Sequence, residues 1–353
     1  MDEYYNKTYK KKGLQAQADQ FRDIALNSAL LIGVFIDGTA MNYSLNKMNA
    51  AKSRTLRDYN VSEEVCKFGT LSRSLAASDV KVAANQAALS AIMLTRSMGG
   101  IGGIAEAGTG DDIRKRADYV ATKTCNPSDN DNSMSAICLP ANDPGLKPQN
   151  YDADMDYTLA VESKPSLNVD FTSGTRTEEE DAIIALSYNL YGHKLLMKAI
   201  ENEEAQREMA LETNSKTRLV VARRNAAANS FAVIVGMKAS GSGGSDAYML
   251  GALQNLGLSS ADATAFAGAG HFSYFAQMEM LSKKLYQTPS FYANLMNSPA
   301  NVRRVTAAME AVDLAQTRDL YNSTIRSEAL MAILLDLTAT HQELPRIKSK
   351  YTQ

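Results

Sequence analysis

The stretch "FRDIALNSALLIGVFIDGTAMNYSL", Phe21 to Leu45, decides how the chain is to be read. Leu14, Phe21, Ile24, Ala25, Leu31, Ile32, Phe35, Ile36, Met41 and Leu45 approximate the 3.6-residue period. No proline interrupts residues 14–59, so the pattern predicts one long helix. Gly33 and Gly38 each weaken it by about 1 kcal/mol relative to alanine. They mark either a kink or a close helix crossing. The most apolar run, Ala29 to Ile36, has eight residues between Asp23 and Asp37, against roughly 20 for a bilayer crossing. The expectation is contact with a membrane or a partner through Ile32, Phe35 and Ile36, and no transmembrane span.

A second helix follows, with Asn60 and Glu63 as a capping box. Val65, Phe68, Leu71, Leu75, Val80, Val82, Ala83 and Leu89 carry it to about Met98. Two long helices joined by a short turn pack antiparallel, so residues 1–123 read as an N-terminal helical hairpin region. Asp111 and Asp112 open a third, shorter helix at the positive end of its dipole.

Residues 124–176 break the pattern. Cys125 to Thr177 holds five of the eight prolines, and no helical period survives there. "YTLAV" (157–161) and "LNVDF" (167–171) alternate enough for short strands, so the region reads as an irregular arm with at most a small β-ribbon. An unstructured run of this length is uncommon in a compact domain. It is either pinned to the body or an exposed functional loop.

Residues 177–353 return to helix as a C-terminal bundle. Thr177 and Glu180 form a capping box, Ser259 caps with Asp262, and Pro299 begins a long helix ending before Pro345. The stretch up to Met237 reads as a solvated helix with an apolar stripe. "SGSGGSD", Ser240 to Asp246, reads as a flexible linker. The fold class is mainly α.

Composition narrows function. The 353 residues are 45% hydrophobic and 22% charged, with a formal net charge of −2. That balance supplies no basic field for nucleic acid. The N-terminal "MDEYYNKTYKKKG" is basic but lacks an adjacent apolar region and cleavage site, so it does not read as a secretory signal. "GGIGGIAEAGTG" (99–110) contains G-x-G-x-x-A, but a helix precedes it where a dinucleotide site needs a strand. It reads as a mobile loop between helices.

His193, His271 and His341 lie far apart with no metal-ligand spacing. A helical hydrolase built on His271 or His193 would need a carboxylate and a nucleophile brought close by the fold. No catalytic residue and no cofactor is assigned. Asp129 and Asp131, with Asn130 and Asn132, offer oxygens to calcium, but the EF-hand order is missing. Turn chemistry explains them equally. Cys125 and Cys138 are 13 positions apart, and a bridge would close a ring worth about 3 kcal/mol and imply an oxidising compartment. Cys66 is then left over, unless it is the partner of one of them. With all three thiols free, a cytoplasmic location follows.

"YNVSEEVCKFGTLSRSLAASD" (59–79), the "CNPSDNDNSM" loop and "LYQTPSFYANLMNSPANVRRVTAAMEAVDLAQTRDLYNSTIRSEALMAILL" (285–335) together resemble helical proteins encoded with bacterial type IV secretion and conjugation systems of the Dot/Icm-like branch. The resemblance covers about half the chain. It implies a periplasmic, extracellular or other cell-envelope component of a secretion apparatus, with self-association or apparatus subunits as partners. It carries no site residues. A non-enzymatic structural or interaction role is expected, ahead of an amphipathic lipid- or peptide-binding module.

Overall fold

The computed structural model describes residues 2–59, 63–140, 143–192, 195, 208–268, 270–289, 291–292 and 299–351. The protein is mainly α, and no strand occurs among the described residues. The chain divides into two units. Residues 1–61 with 298–300 form one, and residues 62–297 with 301–353 form the other.

The first unit is dominated by α1, Lys11–Tyr59. Nothing lies within van der Waals distance of where a Cβ would stand at Gly33 or Gly38. Every side chain described in α1 is exposed. Asn60, the expected cap of the second helix, lies outside the described residues.

The second unit is built on α2 (Glu63–Ser97) and α5 (Glu208–Lys238), which pack together. Leu71, Ser74, Ser78, Asn85, Leu89, Met93 and Arg96 are the buried residues of α2. Their intervals of three, four and seven place them on one stripe. Val80, expected inside, is exposed because it falls off that stripe. The two helices approach closely where α5 carries small residues. A Cβ on Gly236 would stand 2.9 Å from the Val82 carbonyl oxygen. Ala228, Phe231, Ala232 and Val235 are buried, so the second half of α5 is core and not a solvated helix.

Three shorter helices belong to the same unit: α3 (Thr109–Tyr119), α4 (Glu178–Tyr191) and α6 (Asp246–Asn255). The Thr177 hydroxyl accepts from the Glu180 amide at 3.2 Å, and the Glu180 carboxylate accepts from the Thr177 amide at 3.1 Å. This capping box starts α4 where the sequence places it. Next come α7 (Ser260–Ala267), α8 (Tyr274–Glu279) and the long α9 (Pro299–Tyr351). α9 continues through Pro345, past the expected end. A proline removes one helical hydrogen bond at a cost of about 3 kcal/mol, and a helix can continue despite that loss.

α9 docks by one stripe. Asn301 and Val312 are buried, and Val305, Ala308, Ala315, Asp319, Arg326, Leu330 and Ile333 are half-buried. Asp319 accepts from the Tyr274 hydroxyl at 2.8 Å, and Arg223 pairs with Asp336 at 2.5 Å. Leu314, Leu320, Tyr321, Met331, Leu334 and Leu335 stay exposed. Its apolar residues are therefore covered along one side only.

Neither expected strand forms. Thr158–Glu162 is a π-helical turn, and residues 167–169 lie alongside the end of α5. There the Leu167 amide donates to the Lys238 carbonyl at 2.7 Å, and the Ser240 amide donates to the Val169 carbonyl at 3.0 Å. The arm is pinned. The Lys238 ammonium donates to the carbonyls of Val161, Glu162 and Lys164 at 2.8, 2.9 and 2.9 Å. Burial lowers the pKa of this lysine, with Glu162 and Glu279 opposing. Asn85 accepts from the Phe171 amide at 2.7 Å, and Glu180 accepts from the Asp170 amide at 2.6 Å.

The glycine-serine segment is not a flexible linker. A Cβ on Gly241 would stand 2.1 Å from the Phe272 carbonyl oxygen. Only glycine lets the backbone approach that closely. Ser242 bonds Ser74 and Ser78 of α2, and Lys81 donates to the Gly241 carbonyl at 3.0 Å. The other glycine loop, at 99–108, folds into successive turns over buried Ala105.

Candidate functional site

Four features are candidates: the apolar stretch of α1, the cysteine loop, the surface histidine, and a cavity that the sequence did not suggest.

In α1, Ile32, Phe35 and Ile36 are 60%, 74% and 58% exposed. They have company: Ile24, Leu26, Leu30, Leu31, Val34 and Met41 are exposed as well. The helix contains an 18-residue window of mean hydropathy 1.7, none of it buried. By length and composition it can cross a membrane. This departs from the reading of the eight-residue run alone. Asn27, Ser28 and Gly33 interrupt the apolar sequence without bringing the average below that of a span.

Cys125 and Cys138 stand at disulfide distance, with Cα atoms 5.5 Å apart. Cys125 is buried and Cys138 half-buried. The side chain of Cys66 lies outside the described ones. Between the bridge ends, Asn130, Asp131 and Asn132 take left-handed φ values of 51°, 55° and 65°. Asparagine and aspartate tolerate that region best, which accounts for this run of residue types. Asp131 is exposed and Asp129 half-buried. Asp152 joins them from the arm. Its carboxyl is held above the usual range by burial and by Asp129 and Asp156, with the Asn126 amide opposing. Among the described residues no group of three or more His, Cys, Asp or Glu is placed to hold a metal ion.

His271 lies at the surface, its Nδ1 2.6 Å from Asp246 Oδ2 at the start of α6. The pairing follows from the tight glycine turn: a Cβ on Gly243 would stand 2.7 Å from the imidazole ring. No hydroxyl or thiol bonds the other ring nitrogen among the described residues. His193 lies outside the described residues, as does the side chain of His341.

The cavity has a volume of about 620 Å³ and lies between α3, α4 and the arm. Asp112, Arg116, Tyr119, Asp154, Tyr188 and Leu195 line it. Behind Asp112 is the most deeply buried ion pair among the described residues. Arg96 donates to both Asp112 oxygens at 2.7 and 2.8 Å and to the Gly192 carbonyl at 2.8 Å. Its guanidinium lies 4.2 Å from the centre of the Tyr188 ring. Burial pushes the Tyr188 hydroxyl up to about 12 and raises that of Tyr119 further. Arg116 donates to Asn189, whose amide donates to the Asp154 carbonyl at 2.8 Å. The polar groups of the wall thus bond one another and hold α2, α3, α4 and the arm in register. Arg96 and Asp112 lie 16 positions apart in sequence, and no motif marks them.

The chain matches no protein-family model, and no curated protein or solved structure is significantly similar to it.

Proposed function

We propose that this chain is a non-enzymatic structural or interaction component that assembles through its helical surfaces. One observation carries the reading. α9 docks on its own unit by a single stripe and leaves Leu314, Leu320, Tyr321, Met331, Leu334 and Leu335 facing solvent. A long helix with apolar residues on its outer faces is placed to receive further helices. The resemblance to type IV secretion and conjugation proteins supports a place in such an apparatus, and the Cys125–Cys138 bridge supports an oxidising compartment of the envelope. Self-association is the first partner to test, because homo-oligomers are the commonest assemblies.

The test is native mass determination of the full chain in mild detergent, without reductant and after alkylation of free thiols. The expected result is a defined multiple of the 38.3 kDa chain that Leu320→Asp with Leu334→Asp dissociates. A monomer that these changes leave unaltered sinks self-assembly. Two alkylated cysteines on Cys125 and Cys138 sink the envelope location.

A further inference from the structure

We infer that residues 24–41 of α1 cross a lipid bilayer, with residues 2–23 on the cytoplasmic side and the disulfide-bearing unit on the opposite side. Eighteen helical residues span about 27 Å, close to the roughly 30 Å of a hydrocarbon core. The stretch has the hydropathy of a span, and none of it is buried by the protein.

The distribution of side chains around the helix selects the occupant. Successive residues project about 100° apart, so Leu30, Leu31, Ile32, Val34, Phe35 and Ile36 cover about 240° of the helix circumference, and Leu26, exposed as well, falls in the remaining arc. All six are exposed. A helix lying in the membrane surface keeps a polar face. A soluble partner covers one stripe and leaves the others wet. Only a solvent that is apolar in every direction satisfies all six.

The ends of the stretch fit the same environment. Arg22 stands 3.7 Å from Asp19 and 3.8 Å from Asp23, so the charges next to Ile24 offset one another. Lys7, Lys10, Lys11 and Lys12 lie further out. Beyond Met41, the Lys47 ammonium lies 5.2 Å from the centre of the Tyr43 ring, an aromatic and basic pair suited to the headgroup region. Asp37 is the one charged residue among 24–41. It sits near the end closer to Tyr43, where a carboxylate is within reach of the headgroups.

Basic residues do not orient the span. Lys7, Lys10, Lys11, Lys12 and Arg22 on one side nearly balance Lys47, Lys52, Arg54 and Arg57 on the other. The cysteine pair does orient it. Cys125 and Cys138 stand at disulfide distance, and such bridges persist outside the reducing cytoplasm. The inference is independent of the assembly reading, since the second unit can self-associate whether or not α1 is in lipid.

The experiment expresses the full chain in a bacterium, washes the membranes with alkaline carbonate and measures the mass of the retained protein. The wild-type chain is expected to stay in the pellet, uncleaved at 38.3 kDa. Added protease is expected to digest the second unit once the periplasm is opened. Ile32→Lys with Phe35→Lys lowers the retained fraction by at least about ten-fold, whereas Ile32→Leu with Phe35→Leu keeps it. A second measurement guards against a lysine variant that fails to fold. Purified wild-type chain mixed with phosphatidylethanolamine–phosphatidylglycerol vesicles floats with them and resists carbonate. Release of the wild type by carbonate, a stable soluble oligomer without detergent, or a product cleaved after residue 41 overturns the span. Protection of the second unit by an intact inner membrane overturns the orientation. A monomeric mass in detergent overturns only the assembly reading.

Discussion

The first long helix and the arm of residues 124–176 invert the usual link between regularity and burial. α1 is an uninterrupted 49-residue helix, and all its described side chains are exposed. The arm has only short turns of helix, yet Val161, Leu167 and Val169 are core residues, and Lys238, Asn85 and Glu180 satisfy its backbone. Backbone regularity comes from local propensity and the absence of proline. Burial comes from what lies opposite. An irregular segment must find a partner for each amide and carbonyl it buries, so the arm is held by specific side chains that can be removed singly.

The largest break in this contrast comes from Lys238→Met. The methionine keeps much of the volume and leaves three carbonyl oxygens without their donor. At 1–3 kcal/mol for each unsatisfied buried group, partly relieved by water, the loss is about 3–4 kcal/mol. Urea unfolding should show it. A loss below about 1 kcal/mol would mean that the arm is held by its apolar contacts and not by the lysine. Nearly as large is Cys125→Ser with Cys138→Ser, which frees the loop at a cost of about 3 kcal/mol. Reduction of the wild type should match it, and unchanged unfolding midpoints would show that the bridge constrains nothing.

Two smaller changes probe the helices. Thr177→Ala removes the hydroxyl that accepts from Glu180 and frees Glu180 to shift from the Asp170 amide. The cost is about 1 kcal/mol, with faster hydrogen exchange at residues 168–170 as the distinguishing sign. Gly33→Ala tests α1. Nothing stands where the new methyl goes, so helix stability should rise by about 0.5–1 kcal/mol, read as slower amide exchange along α1. Faster exchange would mark Gly33 as a point where another helix approaches.

The parts legible in the sequence were those written in one local pattern. The span of α1, the capping box at Thr177 and the cap at Ser259 follow from period and cap chemistry. What escaped reading depends on residues brought together from afar. Ser74, Ser78 and Asn85 look like solvent residues, but they line the buried stripe of α2 because the 241–245 turn and Phe171 supply their partners. Arg96 and Asp112 are ordinary charges until folding buries them together. The glycine-rich 240–246 segment has a linker's composition. Whether glycine provides flexibility or close approach is set by the atom opposite, here the Phe272 carbonyl. The membrane-length character of α1 lies in the average over an 18-residue window and not in its unbroken apolar run, which polar Asn27, Ser28 and Asp37 keep short.

The smallest expected effect is at Asp152, where the arm works against itself. Burial, Asp129 and Asp156 hold its carboxyl above the ordinary value. The folded chain therefore keeps this proton to a higher pH than the unfolded chain does. Between about pH 4 and the raised value, stability from this group falls as pH rises, and the penalty persists at neutral pH. Asparagine tolerates the left-handed backbone at this position, φ 62°, and can still accept from the Asn126 amide. Asp152→Asn should thus gain roughly 0.5 kcal/mol at pH 7 and nothing near pH 3, where the native carboxyl is itself neutral. Parallel unfolding curves at the two pH values measure the difference. A variant less stable at pH 7 would show that the ionised carboxylate has a partner stronger than its acidic neighbours, and the arm would then be bound at that end as firmly as it is at Lys238.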